Sequence, residues 1–204
     1  MADPVLPMQL FFSPGSPFAR KVRVLVRERG LQGEVQETAL SPHDDAPELL
    51  RINPLGKVPA LLTPELALFD SPVICEYLDN LSHGLHLVPA HGIERITALR
   101  SQALADGLMD AAVAIVLERR RPSDMQSSHW LRRWRLVVER AVHALDDMPA
   151  PAGFDIGAIS TACALAYLDY RFPDLAWRDT YPSLAAWLDE TAMRESMLST
   201  RPPA

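Results

Sequence analysis

The periodicity of apolar residues changes once along the chain, and this change limits the folds that the sequence can adopt. Before it, short apolar runs of strand length alternate with helical spacing. After the segment SHGLHLVPAHG, which contains two glycines and a proline, the spacing is helical throughout. We therefore predict an α/β domain over residues 1–83, a linker over 84–91 and an all-helical domain over 92–204.

The first domain is predicted to have the order β-α-β-α-β-β-α. MQLFF is typical of a buried strand, and a helix follows from about Ser16 to Arg29. EVQET, VPALLT and LALFD are predicted strands, the last two joined near Pro64, and APELLRINP and SPVICEYLDNL are predicted helices. Helical spacing predicts that the first helix buries Phe18, Val22, Leu25 and Val26.

Four helices are predicted in the second domain. The first has paired apolar residues from Ile96 to Val116, including Ala103/Leu104 and Gly107/Leu108, and ends before Pro122. Another carries Trp130, Trp134, Val137, Val138, Ala141 and Leu145. A third begins after Asp155 and faces inward with Ile156, Ile159, Cys163, Ala166, Tyr167 and Tyr170, and a last one follows Pro182.

Composition and charge exclude several classes of protein. A net charge of −6 argues against a surface that neutralises nucleic-acid phosphates, and the arginine clusters are interpreted as solvated helix faces. No apolar run approaches the roughly 18 residues of a membrane span. Cys75 and Cys163 are expected in the core, and neither cysteine nor histidine spacing suggests a metal site. A cytoplasmic protein without membrane or nucleic-acid partners is expected.

The pair Ser16-Pro17 has two interpretations. Serine at the N-cap followed by proline at the first helical position is good helix-start chemistry in itself. A hydroxyl at a helix N-terminus could also donate a hydrogen bond to a bound anion or thiolate, which the helix dipole favours. Ser13, in the turn before it, is the rival hydroxyl.

Two further pairs have alternative interpretations. Val58-Pro59 precedes an apolar strand, and if its bond were cis, the Val58 backbone would face a peptide-like ligand. Asp70-Ser71 begins the next helix and could be a capping pair, with Ser71 at the N-cap and Pro72 at the first helical position. As a site, Ser71 would bind a carboxylate and Asp70 an ammonium group, as in an α-amino acid.

Four segments in order resemble the cytosolic glutathione transferases, bacterial members with a serine in particular. They are SPFARKVR after the first strand, GKVPALLTPELALFDSPVICEYLD, the all-helical second half, and DIGAISTACALAYLDYR. The resemblance implies a thioredoxin-like first domain that binds glutathione, and a helical domain that supplies the pocket of the second substrate. It also implies a homodimer, with glutathione as co-substrate and no metal.

Carried over by position, the resemblance assigns stabilisation of the glutathione thiolate to Ser16. Contacts with glutathione are implied for Phe18, Lys57, Val58, cis Pro59, Asp70 and Ser71. The chain departs from the family at Asp70, where glutamate is usual, and at Ala158, which removes half of the usual capping box of the core helix.

The expected activity is attack of the glutathione thiolate on a small electrophile, since serine replaces the cysteine of thiol-transferring relatives. Peroxidase or dehalogenase activity would use the same site. The alternative is a binding or regulatory protein of the same fold that lacks catalysis.

Overall fold

The computed structural model describes residues 8–81, 84, 86–149, 151 and 153–203. The chain divides into two compact units. The first comprises Met1–Val88 and the C-terminal segment Glu195–Ala204, and the second comprises Pro89–Arg194. The predicted linker over 84–91 includes Leu85, which lies outside the described residues, as do Ser82 and His83 just before it.

The first unit has the predicted order of elements. Its strands form one sheet in the order β2-β1-β3-β4, in which β1 is parallel to β2 and antiparallel to β3. The elements are β1 (Met8–Phe12), α1 (Pro17–Glu28), β2 (Val35–Ala39), α2 (Pro47–Ile52), β3 (Ala60–Leu62), β4 (Ala67–Phe69) and α3 (Ser71–Leu81).

The buried face of α1 differs from the predicted one. Val22, Leu25 and Val26 are buried as expected, but Phe18 is only half-buried. Lys21 and Arg20 are buried instead, and an Arg20 Nη donates to the carbonyl of Met197 in the returning C-terminal segment at 3.1 Å. Helical spacing of apolar residues could not reveal this, because the C-terminal segment covers a face that carries basic side chains.

The second unit consists of helices. They are α4 (Gly92–Arg119), α5 (Ser128–Asp146), α6 (Ile156–Arg171), α7 (Trp177–Thr180) and α8 (Pro182–Thr191), with a 3-10 turn at Ser123–Met125. The short helix α9 (Glu195–Leu198) belongs to the first unit. In the part of the chain that the structure describes, no helix is both long and apolar enough to cross a membrane.

The buried stripe of α4 agrees only in part with the predicted one. Leu108 and Ile115 are buried as expected, but Ala103 and Gly107 are exposed. Gln102, at 4% exposed, and fully buried Ala105 lie in the stripe instead. Alanine and glycine fit either face of a helix, so their spacing misplaced one side of the stripe. The α6 helix packs against α4 and is buried on nearly all sides, although Ala166 and Tyr170 are only half-buried.

The N-cap of α6 is the predicted Asp155. Its side chain accepts the backbone N–H of Ala158 at 2.9 Å. Cys163 on this helix and Cys75 on α3 are both buried, as the sequence predicted.

Candidate functional site

Strand register brings the three predicted site segments to one end of the sheet. Phe11 on β1 pairs with Ala60 on β3, which in turn pairs with Phe69 on β4. Because both pairings are antiparallel, the end of β1, the start of β3 and the end of β4 lie side by side. The turn that contains Ser16, the Val58–Pro59 joint and the Asp70-Ser71 pair are therefore neighbours at this edge.

Ser16 is the N-cap of α1, as predicted. Its backbone is extended, its Oγ accepts the Ala19 N–H at 3.2 Å, and Pro17 follows at the start of the helix. The Ser16 N–H donates to the Ser13 carbonyl at 2.9 Å, so Ser13 begins the turn. A hydroxyl has one donor and two acceptor positions. Capping uses an acceptor position, which leaves the Ser16 proton available for an anion at the positive end of α1.

The Val58–Pro59 peptide bond is cis. Val58 is half-buried and packs against a cluster of Phe11, Leu49, Ile52 and Ala60. This packing fixes the position of the Val58 backbone at the start of β3.

Asn53 was missed as a supporting residue of this joint. It is 2% exposed, and its side chain donates to the Lys57 carbonyl at 2.8 Å and accepts the Leu55 N–H at 3.0 Å. Asn53 therefore holds the loop that leads to Val58. The sequence signal was the Asn53-Pro54 pair, which we interpreted only as the end of a helix.

Lys57 and Phe18 are two further residues of the predicted site. The Lys57 side chain is exposed, and Phe18 is half-buried at the beginning of α1. His43, in the loop after β2, is exposed, and its backbone N–H donates to the Ser41 hydroxyl at 3.2 Å.

The prediction that Ser71 is the N-cap of α3 is wrong by one residue. The helix begins at Ser71, and the carbonyl that accepts the Ile74 N–H at 3.1 Å belongs to Asp70. Asp70 is exposed and has a φ of 69°, a left-handed conformation that aspartate tolerates better than most residues. The presence of aspartate rather than glutamate thus has a backbone reason.

The Ser71 hydroxyl is buried and unpaired. The residue is 1% exposed, and its Oγ has no hydrogen-bond partner among the described residues. Leaving a buried hydroxyl unsatisfied costs on the order of 1–3 kcal/mol. A ligand that brought a hydrogen-bonding group to the start of α3 would recover this free energy.

Two sets of ion pairs hold α1 in place. Arg29, after α1, pairs with Asp79 on α3 at 3.1 Å, and both side chains are buried. Glu37 on β2 pairs with Arg27 at 2.6 Å and with Arg23 at 2.8 Å. Burial would raise the pKa of Glu37, but hydrogen bonds from the two arginines outweigh this effect and keep the pKa below its usual value.

Within the described ranges, no group of three or more His, Cys, Asp or Glu side chains could hold a metal ion. The site offers hydroxyl groups, backbone groups, the start of two helices, and the charged side chains of Lys57 and Asp70. These suit an anionic or peptide-like ligand.

Comparison with known proteins identifies the family. Residues 15–81 match the glutathione S-transferase N-terminal domain, and residues 128–190 match the glutathione S-transferase C-terminal domain. A stringent starvation protein A homologue of Pasteurella multocida is 30% identical over 56% of this chain and 58% of that protein.

Two relatives align over nearly their whole length. The uncharacterized GST-like protein YibF of Escherichia coli is 33% identical over 96% of this chain and 99% of that protein. A glutathione transferase family member from Pseudomonas fluorescens, crystallised with bound glutathione, is 44% identical over 97% of this chain and all of that chain, with a TM-score of 0.91. The chain therefore belongs to the glutathione S-transferase family.

Proposed function

We propose that this protein is a glutathione transferase in which the Ser16 hydroxyl stabilises the thiolate of bound glutathione for attack on a small electrophile. The observation that carries the proposal is the buried, unpaired hydroxyl of Ser71, which lies at the same end of the sheet as Ser16 and Val58. The Pseudomonas fluorescens relative with bound glutathione supports the choice of ligand.

Glutathione offers groups that fit the candidate residues. The α-carboxylate of its γ-glutamyl end would accept a hydrogen bond from Ser71, and its ammonium group would pair with Asp70. The Val58 backbone would bind the cysteinyl peptide group, and exposed Lys57 would meet the glycyl carboxylate. Phe18, half-buried beside Ser16, would contact the same molecule.

The chemistry depends on the charge of the sulfur. A thiol with a pKa near ~8.5 is only about 3% ionised at pH 7. A hydrogen bond from Ser16 and the positive end of α1 favour the thiolate, and lowering the pKa by ~2 units requires about 2.7 kcal/mol. The thiolate then forms a carbon–sulfur bond with the electrophile, and the leaving group departs with the electron pair of the broken bond.

The test combines calorimetry with a conjugation assay that uses a generic aryl halide. We expect the wild-type protein to bind glutathione and to release halide. Ser16→Ala should lower the rate by about 10–100-fold, the value of one hydrogen bond to a charged group, with little loss of glutathione affinity. Ser13→Ala is the matched control, and a larger loss of rate in that variant would overturn the assignment of Ser16.

A second candidate is a binding or regulatory protein without catalysis. The chain is similar over part of its length to a stringent starvation protein A homologue, which is not named as a transferase. Absence of both glutathione binding and conjugation in the same assay would support this alternative. Peroxidase or dehalogenase activity would require the same Ser16 and Ser71, and a screen of electrophiles separates them from conjugation.

The remaining parts of the proposal follow from the sequence patterns and from the family resemblance. We propose that the protein acts as a cytoplasmic homodimer in detoxification. We also propose domain boundaries at residues 83/84 and 91/92, with the electrophile pocket supplied by the helical domain.

A further inference from the structure

A cavity of about 390 Å³ lies within the helical unit, between the first turns of α4, the first turns of α6 and α8. Its walls are mainly apolar, and Leu145, Leu184 and Trp187 are among the residues that line it. This volume falls within the range of small-molecule sites in proteins.

The charged groups of this cavity all have the same sign. Glu94, Asp146 and Asp155 line it, and no lysine, arginine or histidine is among the described residues that do. Glu94 and Asp146 are exposed, and Asp155 uses one carboxylate oxygen to cap α6. Three carboxylates outweigh the roughly half positive charge that each of the three nearby helix N-termini, those of α4, α6 and α8, contributes.

Thr161 adds a polar group to the wall. It lines the cavity and is 6% exposed. Its hydroxyl oxygen can accept a hydrogen bond from a ligand that donates one.

Trp187 supplies an aromatic wall. Its indole is half-buried at the cavity, where a ring face attracts a cation as well as apolar surface. Carboxylates, a hydroxyl and a tryptophan are groups that can recognise an ammonium ion attached to an apolar body.

We propose that this cavity binds small organic amines, protonated at neutral pH and carrying an apolar body, at a site separate from the glutathione site. The apolar body would contact Leu145, Leu184 and Trp187. The ammonium group would lie towards Glu94, Asp146 and Asp155 and donate to Thr161.

The test uses three probes with the same apolar body and different head groups: phenylbutylamine, phenylbutanol and phenylbutyrate. Calorimetric titration at neutral pH should show saturable one-to-one binding of the amine. We expect the amine to bind about tenfold more tightly than the alcohol, which corresponds to one hydrogen bond to a charged group, and the carboxylate to bind most weakly. Equal affinities for the three probes, or no saturable binding of the amine, would overturn the proposal.

Variants locate the binding. Asp146→Asn and Glu94→Gln should each weaken amine binding several-fold and leave the alcohol unchanged, because each removes one charge but little volume. Asp147→Asn is the matched control, since this neighbouring carboxylate is exposed and does not line the cavity. An equal effect of Asp146→Asn and Asp147→Asn on the amine would show that general surface charge is responsible, and would reject the site.

Two further variants test the rest of the cavity. Thr161→Val keeps the shape of the side chain and should weaken the amine more than the phenylbutyrate. Trp187→Leu should weaken all three probes. Unfolding curves of each variant establish that it is folded, and unchanged amine affinity in folded Thr161→Val and Trp187→Leu would contradict the proposed pose.

Discussion

Two Ser-Pro pairs stand at the start of helices in the first unit, and their hydroxyl groups have different surroundings. The Ser16 Oγ accepts the Ala19 N–H as the N-cap of α1. Ser71 is already inside α3, and its buried Oγ has no partner among the described residues. The first hydroxyl therefore serves the fold even without a ligand, whereas the second costs stability until something binds to it.

This difference indicates which changes should affect folding and which should affect only ligand binding. Removal of the Ser16 hydroxyl should lower both stability and activity, because a serine N-cap contributes about 1 kcal/mol. Removal of the Ser71 hydroxyl should lower binding alone. The following changes test this contrast, beginning with the largest expected effect.

Asp79→Asn should weaken the packing of α1 against α3 and so lower stability. The Asp79 carboxylate pairs with Arg29 and accepts the backbone N–H groups of Leu87 and Val88 at 3.0 and 2.9 Å. Removing the charge of one partner of a buried pair is strongly destabilising, so we expect a loss of about 3–5 kcal/mol in the free energy of unfolding, measured with urea. A loss below about 1 kcal/mol would mean that the pair does not hold α1 and α3 together.

Ser71→Ala should weaken glutathione binding about tenfold, the value of one hydrogen bond to a charged carboxylate. The same variant should keep or slightly increase the free energy of unfolding, because it removes a buried hydroxyl without a partner. Calorimetry and urea unfolding measure the two quantities. A clear loss of stability with unchanged affinity would reverse the contrast between the two serines.

Two substitutions of Asp70 separate the effect of its charge on glutathione binding from the effect of its backbone conformation on stability. Asp70→Asn keeps a side chain that tolerates the φ of 69°, so it should weaken glutathione binding several-fold and leave stability unchanged. Asp70→Ala should weaken binding to the same extent and also lower the free energy of unfolding by about 1 kcal/mol, because alanine tolerates this φ poorly. Equal stability of the two variants would show that the backbone conformation is not a constraint.

The smallest expected effect concerns Glu37, which holds α1 but contributes nothing to α3. Glu37→Gln should lower the free energy of unfolding by about 1 kcal/mol at neutral pH. Because the folded pKa of Glu37 lies below the ordinary value of 4.5, its contribution is present above that pH and is lost as the pH falls through the folded pKa. Thermal unfolding should therefore show that the midpoint temperatures of the wild type and the variant differ at neutral pH and converge in acid. A difference in midpoint temperature that persists in strong acid would show that the ionised Glu37 carboxylate is not the source of the stability.

Much of the first unit could be predicted because its signals are local. The Ser16 cap, the β-α-β-α-β-β-α order and the burial of Cys75 depend on neighbouring residues and on simple periodicity. The start of α3 at Ser71 rather than at Pro72 could not be predicted, because a Ser-Pro pair fits either the N-cap or the first turn of a helix. Only the structure distinguishes these two positions for Ser71, and it also shows the left-handed φ of Asp70.

The second unit was harder to predict for a physical reason. Its long helices were found, but the buried face of α4 was predicted only in part. Leu108 is buried as expected, whereas Ala103 and Gly107, which fit either a buried or an exposed position, are exposed. Gln102 is buried although it is polar. The short helices α7 and α9 were missed, since four residues are too few to show a period.

The most direct test of the account is the pKa of the glutathione thiol in the complex, followed through the ultraviolet absorbance of the thiolate. The account predicts a pKa about 2 units below the free value of ~8.5 in the wild type. In Ser16→Ala the pKa should rise part of the way back towards the free value, because the positive end of α1 remains. Ser13→Ala should behave as the wild type. An unchanged thiol pKa in Ser16→Ala would contradict the central claim that this N-cap hydroxyl stabilises the thiolate.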